Sequence, residues 1–135
     1  GSLGAQLKTV EDIMITGNKI PFVREDLKMN LALKTLTKKK LGILIVLNKK
    51  NETIGIITDG QIRRFTEKNT NFQLLPVSKI MTKKPISIGK DELAAKALAL
   101  MNNKKITSLL VSRKENTKKT IGVIHIHTIL QSNIF

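Results

Sequence analysis

Cysteine, tryptophan and tyrosine are absent from this sequence, and proline (three), phenylalanine (four) and histidine (two) are sparse. Without cysteine there is no disulfide framework, no thiolate metal site and no thiol nucleophile, and a cytoplasmic origin is the expectation. Without Trp or Tyr there is no evident platform on which nucleic-acid bases would stack. No apolar stretch approaches the roughly 20 residues needed to span a bilayer. The longest run, Leu41 to Leu47, has the length of a buried strand. The opening Gly1-Ser2-Leu3-Gly4-Ala5 lacks a basic start followed by an apolar segment, so neither a secretory signal nor membrane association is expected.

Acidic residues are also few, ten against 24 Lys and Arg, for a net charge of +14. Such a balance invites a polyanion partner, because basic side chains neutralise phosphates and release counterions. Only Arg24, Arg63, Arg64 and Arg113 are arginines, although Arg is the better bidentate reader of phosphates and base edges. The lysines are spread over the loops as Lys38-Lys39-Lys40, Lys49-Lys50, Lys83-Lys84, Lys104-Lys105 and Lys118-Lys119. No specific nucleic acid is expected as a partner; binding of that kind would be non-specific and salt-sensitive.

What is present is an ordinary globular composition, 41% apolar and 25% charged, in 135 residues. A chain of that length buries roughly two-thirds of its surface on folding. The sequence is also duplicated. Val10-Glu11-Asp12-Ile13-Met14 recurs as Val77-Ser78-Lys79-Ile80-Met81, and each is followed by a short apolar segment, Ile20-Pro21-Phe22-Val23 or Pro85-Ile86-Ser87-Ile88. Lys40 to Val46 matches Lys105 to Val111, and Ile54-Gly55-Ile56-Ile57 matches Ile121-Gly122-Val123-Ile124. Between these lie helical patterns. One carries Leu31, Leu33, Leu36 and Leu41 opposite Lys28, Lys34, Lys38 and Lys39; the other carries Leu93, Ala94, Ala97, Leu98, Leu100 and Met101 after an Asp91 cap.

Ile43–Leu47 and Ile54–Thr58 read as a hairpin around the polar turn at residues 48–53, repeated by Ser108–Ser112 and Thr120–Ile124. Asp59–Glu67 and Thr128–Asn133 close each copy with a helix, so each half is β-α-β-β-α. Asn69-Thr70-Asn71 is the join, and Pro76 marks the second copy. Gly42, Gly55 and Gly122 mark close backbone approach and belong to no phosphate-cradling loop.

Two β-α-β-β-α copies, each opened by V-x-x-I-M and each with a Gly-apolar-apolar strand end, resemble the CBS-domain pair, or Bateman module, over nearly all of residues 10 to 135. The resemblance implies an α+β fold, with motif 1 at residues 10–68 and motif 2 at residues 69–135 packed as a pseudo-two-fold pair. More closely, the sequence is similar to the C-terminal half of D-arabinose 5-phosphate isomerases, which supply the precursor of the bacterial sugar Kdo. That similarity rests on Gly1-Ser2-Leu3-Gly4, Asp12-Ile13-Met14 with Thr16-Gly17 and Ile20-Pro21, Gly55 through Arg64, and Ile106-Thr107-Ser108 with Gly122 through His127. It makes residues 1–9 a linker from a sugar-isomerase domain that is missing from this chain and would be its partner. It also implies a homodimer through the CBS pairs and a tetrameric parent.

In CBS pairs a Thr or Ser ending the third strand, with an Asp three residues on, holds the phosphate and ribose of an adenosine ligand in the cleft between motifs. Here Thr58 is followed at that spacing by Gln61, while His125 and Thr128 stand at the second copy's Thr and Asp positions. This departure argues against ordinary AMP or ATP binding. Asp59, Arg63 and Arg64 fall in the first turns of the following helix, where an anion would meet guanidinium and helix dipole; alternatively an Arg forms a surface ion pair with Glu67.

His125 and His127, at i, i+2, share a face if the strand runs that far. They either line the cleft or are packed structural histidines. Two histidines with no Cys and no third His do not make a metal site. Ser108 lacks a G-x-S-x-G context and reads as a small cleft residue. No catalytic constellation and no resident cofactor are expected. The candidate ligand-binding set is therefore Thr58, Asp59, Gln61, Arg63, Arg64, Ser108, His125 and His127.

The resemblance implies a non-catalytic, ligand-sensing module with an anionic nucleotide or nucleotide-sugar effector, of which CMP-Kdo is a candidate by feedback logic. A purely structural oligomerisation module is the alternative.

Overall fold

The computed structural model describes residues 7–68 and 71–132. The expected linker segment Gly1-Ser2-Leu3-Gly4, residues Asn69 and Thr70 of the expected join, and Asn133 of the expected last helix lie outside the described residues.

The described chain opens with the single-turn helix α1 (Val10–Ile13), then β1 (Phe22–Arg24), α2 (Met29–Lys39), β2 (Ile43–Leu47), β3 (Thr53–Thr58) and α3 (Asp59–Glu67). The second run is a 3₁₀ turn (Val77–Lys79), β4 (Ser87–Gly89), α4 (Ala94–Lys104), β5 (Ser108–Ser112), β6 (Gly122–His125) and α5 (Ile126–Gln131). Each run makes a three-stranded sheet, β1-β2-β3 or β4-β5-β6, whose first pair is parallel and second antiparallel. The fold class is α+β, as expected.

The central strands are the continuous apolar runs. β2 is buried from Ile43 to Val46 and β5 from Leu109 to Ser112, as flanked strands require. β1 begins one residue after Pro21, which has no N–H to give the ladder but whose carbonyl accepts from Ile45 N at 2.9 Å. β4 begins two residues after Pro85, and there the Ile86 carbonyl accepts from Leu110 N–H at 3.3 Å.

The chain divides into two compact units, Pro21–Pro85 and a composite of Gly1–Ile20 with Ile86–Phe135. The V-x-x-I-M elements are therefore exchanged: the one leading the first copy belongs to the unit holding the second copy's sheet, and the reverse. In the composite unit Val10 N–H donates to Glu92 O (2.8 Å), Glu11 N–H to Lys90 O (3.0 Å), and Ala94 N–H to Lys8 O (2.9 Å). In the contiguous unit Val77 N–H donates to Leu27 O (2.8 Å), Ser78 N–H to Glu25 O (3.1 Å), and Met29 N–H to Leu75 O (2.9 Å). The residue after each element's Met extends the adjacent sheet: Ile15 bridges Val123, and Thr82 bridges Ile56.

The cores follow the same division. Val10 is buried with Ile88, Ala97, Met101, Leu109 and Ile124. Val77 and Ile80 are buried with Val23, Met29, Leu44, Ile57 and Phe72. Among the described residues, no helix is long and apolar enough to cross a membrane.

Several boundaries differ from the sequence expectation. Asp91 does not cap α4: the N-cap is Leu93, with no side-chain cap, and the Asp91 carboxylate instead accepts from Lys90 Nζ at 2.9 Å. The helix start is held by the Lys8 carbonyl, a partner 86 positions away that local pattern does not reveal. α5 starts at Ile126 rather than Thr128 because β6 runs to His125, which caps it.

Candidate functional site

Each sheet's third strand runs directly into a helix, and the candidate residues sit at these two junctions, one in each unit. In the contiguous unit Thr58 ends β3 opposite Ile43 and is the N-cap of α3. Its Oγ1 accepts from Gln61 N–H at 3.3 Å, and Gln61 Oε1 accepts from Thr58 N–H at 3.0 Å. This reciprocal pair is a capping box, written in the sequence as T-x-x-Q. Gln61 Nε2 also donates to Ile80 O at 3.3 Å, tying α3 to the exchanged V-x-x-I-M element. The side chain expected to face a ligand is thus engaged at both ends of its amide.

Asp59 is exposed in the first turn of α3, and its N–H donates to Gly42 O at 3.1 Å. Arg63 and Arg64 are exposed. Among the described residues no ion pair joins either to Glu67, so the surface salt-bridge alternative is not realised. The Arg64 guanidinium instead curls back toward the helix start, with Nη1 3.4 Å from where a Cβ on Gly60 would stand. A cationic group over the first turn, beside helix N–H groups, is an arrangement that attracts an anion.

In the composite unit His125 takes the place of Thr58. It ends β6 opposite Ser108 and is the N-cap of α5. Its Nδ1 accepts from His127 N–H at 3.1 Å, and the two rings stack with centroids 4.9 Å apart and planes 25° from parallel. The strand ends at His125, so the histidines meet through a helical turn rather than by strand alternation. Burial, and after it the neighbouring His127, holds the His125 pKa below the usual imidazole value. Ser108 is half-buried at the start of β5. Among the described residues no group of three or more His, Asp or Glu is placed to hold a metal ion.

Sequence reasoning placed these residues at the strand-to-helix junctions but missed that both cap residues already spend an acceptor on the helix backbone. The T-x-x-Q spacing was a legible signal for the first. The His125–His127 cap had none, since His is not among the preferred N-cap residues.

The sequence model of the CBS domain matches residues 10–68 and 77–133. An uncharacterised protein of Rickettsia prowazekii is 37% identical over 134 residues, covering 99% of this chain and 40% of that protein. The arabinose 5-phosphate isomerase KdsD of Salmonella typhi is 34% identical over 135 residues, with the same coverages. The chain thus spans 40% of the length of these curated relatives. Among solved structures, CBSX2 in complex with AMP superposes with a TM-score of 0.78 at 20% identity, covering 92% of this chain and 94% of that one.

Proposed function

Since the chain belongs to the CBS-domain family, as a tandem pair homologous to the CBS region of KdsD, we propose that it is the regulatory, ligand-sensing part of a cytoplasmic sugar-phosphate isomerase. In this reading the chemistry, arabinose 5-phosphate to ribulose 5-phosphate, belongs to a sugar-isomerase domain of the same protein. The CBS pair contributes the homodimer contact and an effector site. The observation that carries the proposal is similarity to the isomerases along 99% of this chain, rather than over the CBS signatures alone.

The effector we propose is an anionic nucleotide or nucleotide-sugar, for which the candidate residues are Thr58, Asp59, Gln61, Arg63 and Arg64 at one strand-to-helix junction and Ser108, His125 and His127 at the other. AMP bound to CBSX2 supports the nucleotide class. The basic α3 start supports an anion, while Gln61 offers no carboxylate to a ribose and so disfavours plain adenosine nucleotides. CMP-Kdo carries both a phosphate and a carboxylate and, as the activated end product, would give feedback control. A thermal-shift and calorimetric panel of AMP, ATP, CMP and CMP-Kdo at two salt concentrations tests this. A ligand at 100 times its Kd adds about 2.7 kcal/mol, a rise of several degrees in Tm for a domain of this size. A shift with CMP-Kdo alone supports the proposal, whereas a shift with AMP or ATP alone replaces the effector.

One observation favours a second reading, a structural module without a small ligand. Thr58, Gln61 and His125 already satisfy one another or the helix backbone, and among the described residues no buried side-chain polar atom lacks a partner. No response from any nucleotide, with a dimer persisting in sedimentation, selects this reading.

A further inference from the structure

We propose that the His125–His127 cap is a proton-operated latch on the β6–α5 junction: neutral His125 fastens the first turn of α5, and protonated His125 releases it. This stands apart from the effector reading, because it rests on the hydrogen bond alone. An imidazole nitrogen accepts only while it carries no proton, so the bond from His127 N–H to His125 Nδ1 fixes the tautomer with its hydrogen on Nε2. A proton on Nδ1 sets two donors facing each other across that 3.1 Å gap and leaves the His127 N–H without its acceptor. The stacked His127 ring opposes protonation of both imidazoles at once.

The surroundings leave this titration to His125. β5, paired to β6, presents Ser108 opposite and has no ionisable residue. The helices packed on this part of the unit carry Glu11 and Asp12 (α1) and Lys96 and Lys104 (α4). The influences on His125 are burial first and His127 second, with none from those four groups. The matching cap of the contiguous unit, Thr58 with Gln61, has no titratable acceptor, so of the two caps only that of His125 has an acceptor a proton can occupy.

The experiment is a ¹H–¹⁵N NMR titration of this chain from about pH 8 to about pH 5, following the His125 ring, the His127 amide and, as internal control, the Gln61 amide. The His127 amide shift should track the His125 ring, and its protection against exchange, corrected for intrinsic rate, should fall about tenfold per pH unit below the ring's midpoint. The Gln61 amide should stay flat. His125→Asn keeps an acceptor that does not titrate and should abolish the His127 amide transition. His127→Ala keeps the N–H, removes the second ring, and should move the midpoint toward the usual imidazole value. An unchanged Gln61 amide shows that each variant is folded. The latch is refuted if His125 titrates without the His127 amide following, if its ring does not titrate in the folded chain, or if His125→Asn retains the transition.

Discussion

Met14 Sδ lies 2.6 Å from the point where a Cβ on Gly122 would stand, and Met81 has the same relation to Gly55 at the same distance. Each methionine ends a V-x-x-I-M element, so the exchanged element closes directly over the bare backbone of the strand it joins. The carbonyl oxygens of Ile15 and Thr82 are nearly as close, 3.0 and 2.8 Å from those points, so movement of the flexible thioether alone does not clear the space. Gly55→Ala and Gly122→Ala should each destabilise the chain by about 1–3 kcal/mol, the usual cost of overpacking. Urea denaturation of the two variants measures it, and an unchanged midpoint in both would remove the proposed closure.

The exchange of these elements predicts which fragments fold. Residues 21–85 contain all segments of the contiguous unit, including Phe72, Val77 and Ile80 of its core. Residues 10–68, the first sequence copy, lack those three and carry Val10, whose buried partners are in the other unit. Circular dichroism should show a cooperative thermal transition for 21–85 and none for 10–68.

The α3 cap gives a smaller effect. Thr58→Ala removes the acceptor of Gln61 N–H and should cost about 1 kcal/mol, whereas Thr58→Ser should be close to neutral. Equal losses in the two variants would mean that the Thr58 methyl, rather than the hydroxyl, matters there.

Two helices end on lysine in the left-handed region, Lys40 at φ 61° and Lys105 at φ 57°. Glycine accepts that conformation without the Cβ penalty, so Lys40→Gly and Lys105→Gly should raise stability by several tenths to about 1 kcal/mol each, despite the greater freedom of glycine in the unfolded chain. A fall in Tm in both would show that the lysine charges at these helix ends contribute more than the backbone strain costs.

Stability should also depend on pH through His125. Its folded pKa is below the unfolded value of about 6.5, so the unfolded state binds the proton first. Its contribution is complete above that pH, declines as the pH falls through the window down to the folded value, and is constant below it. His125→Asn should flatten the Tm profile across this window. Asp12 acts in the same sense at lower pH: the Thr9 N–H hydrogen bond holds its carboxyl below 3.8, and the stability that this gives is lost as the pH falls through the lowered value. A loss near neutrality that survives in His125→Asn would assign it to another group.

The duplication, the hairpins, the helices and the positions of the junctions were legible in the sequence, because apolar runs such as Ile43–Leu47 and stripes such as Ala94, Ala97 and Met101 encode local structure by their periods. Gly55 and Gly122 were likewise readable as points of close approach. Tertiary structure alone decided which sheet each V-x-x-I-M element joins, since Val10 and Val77 open the same apolar pattern yet donate to different distant carbonyls, those of Glu92 and Leu27. It also decided what the polar side chains do. Asp91 looked like a cap and pairs with Lys90, while Gln61 and His125 looked open to a ligand; Gln61 instead holds the Thr58 N–H and the Ile80 carbonyl, and His125 the His127 N–H. A side chain's nearest hydrogen-bond partner is set by the folded backbone around it, and residue type and spacing constrain that partner only where, as in T-x-x-Q, it lies within one helical turn.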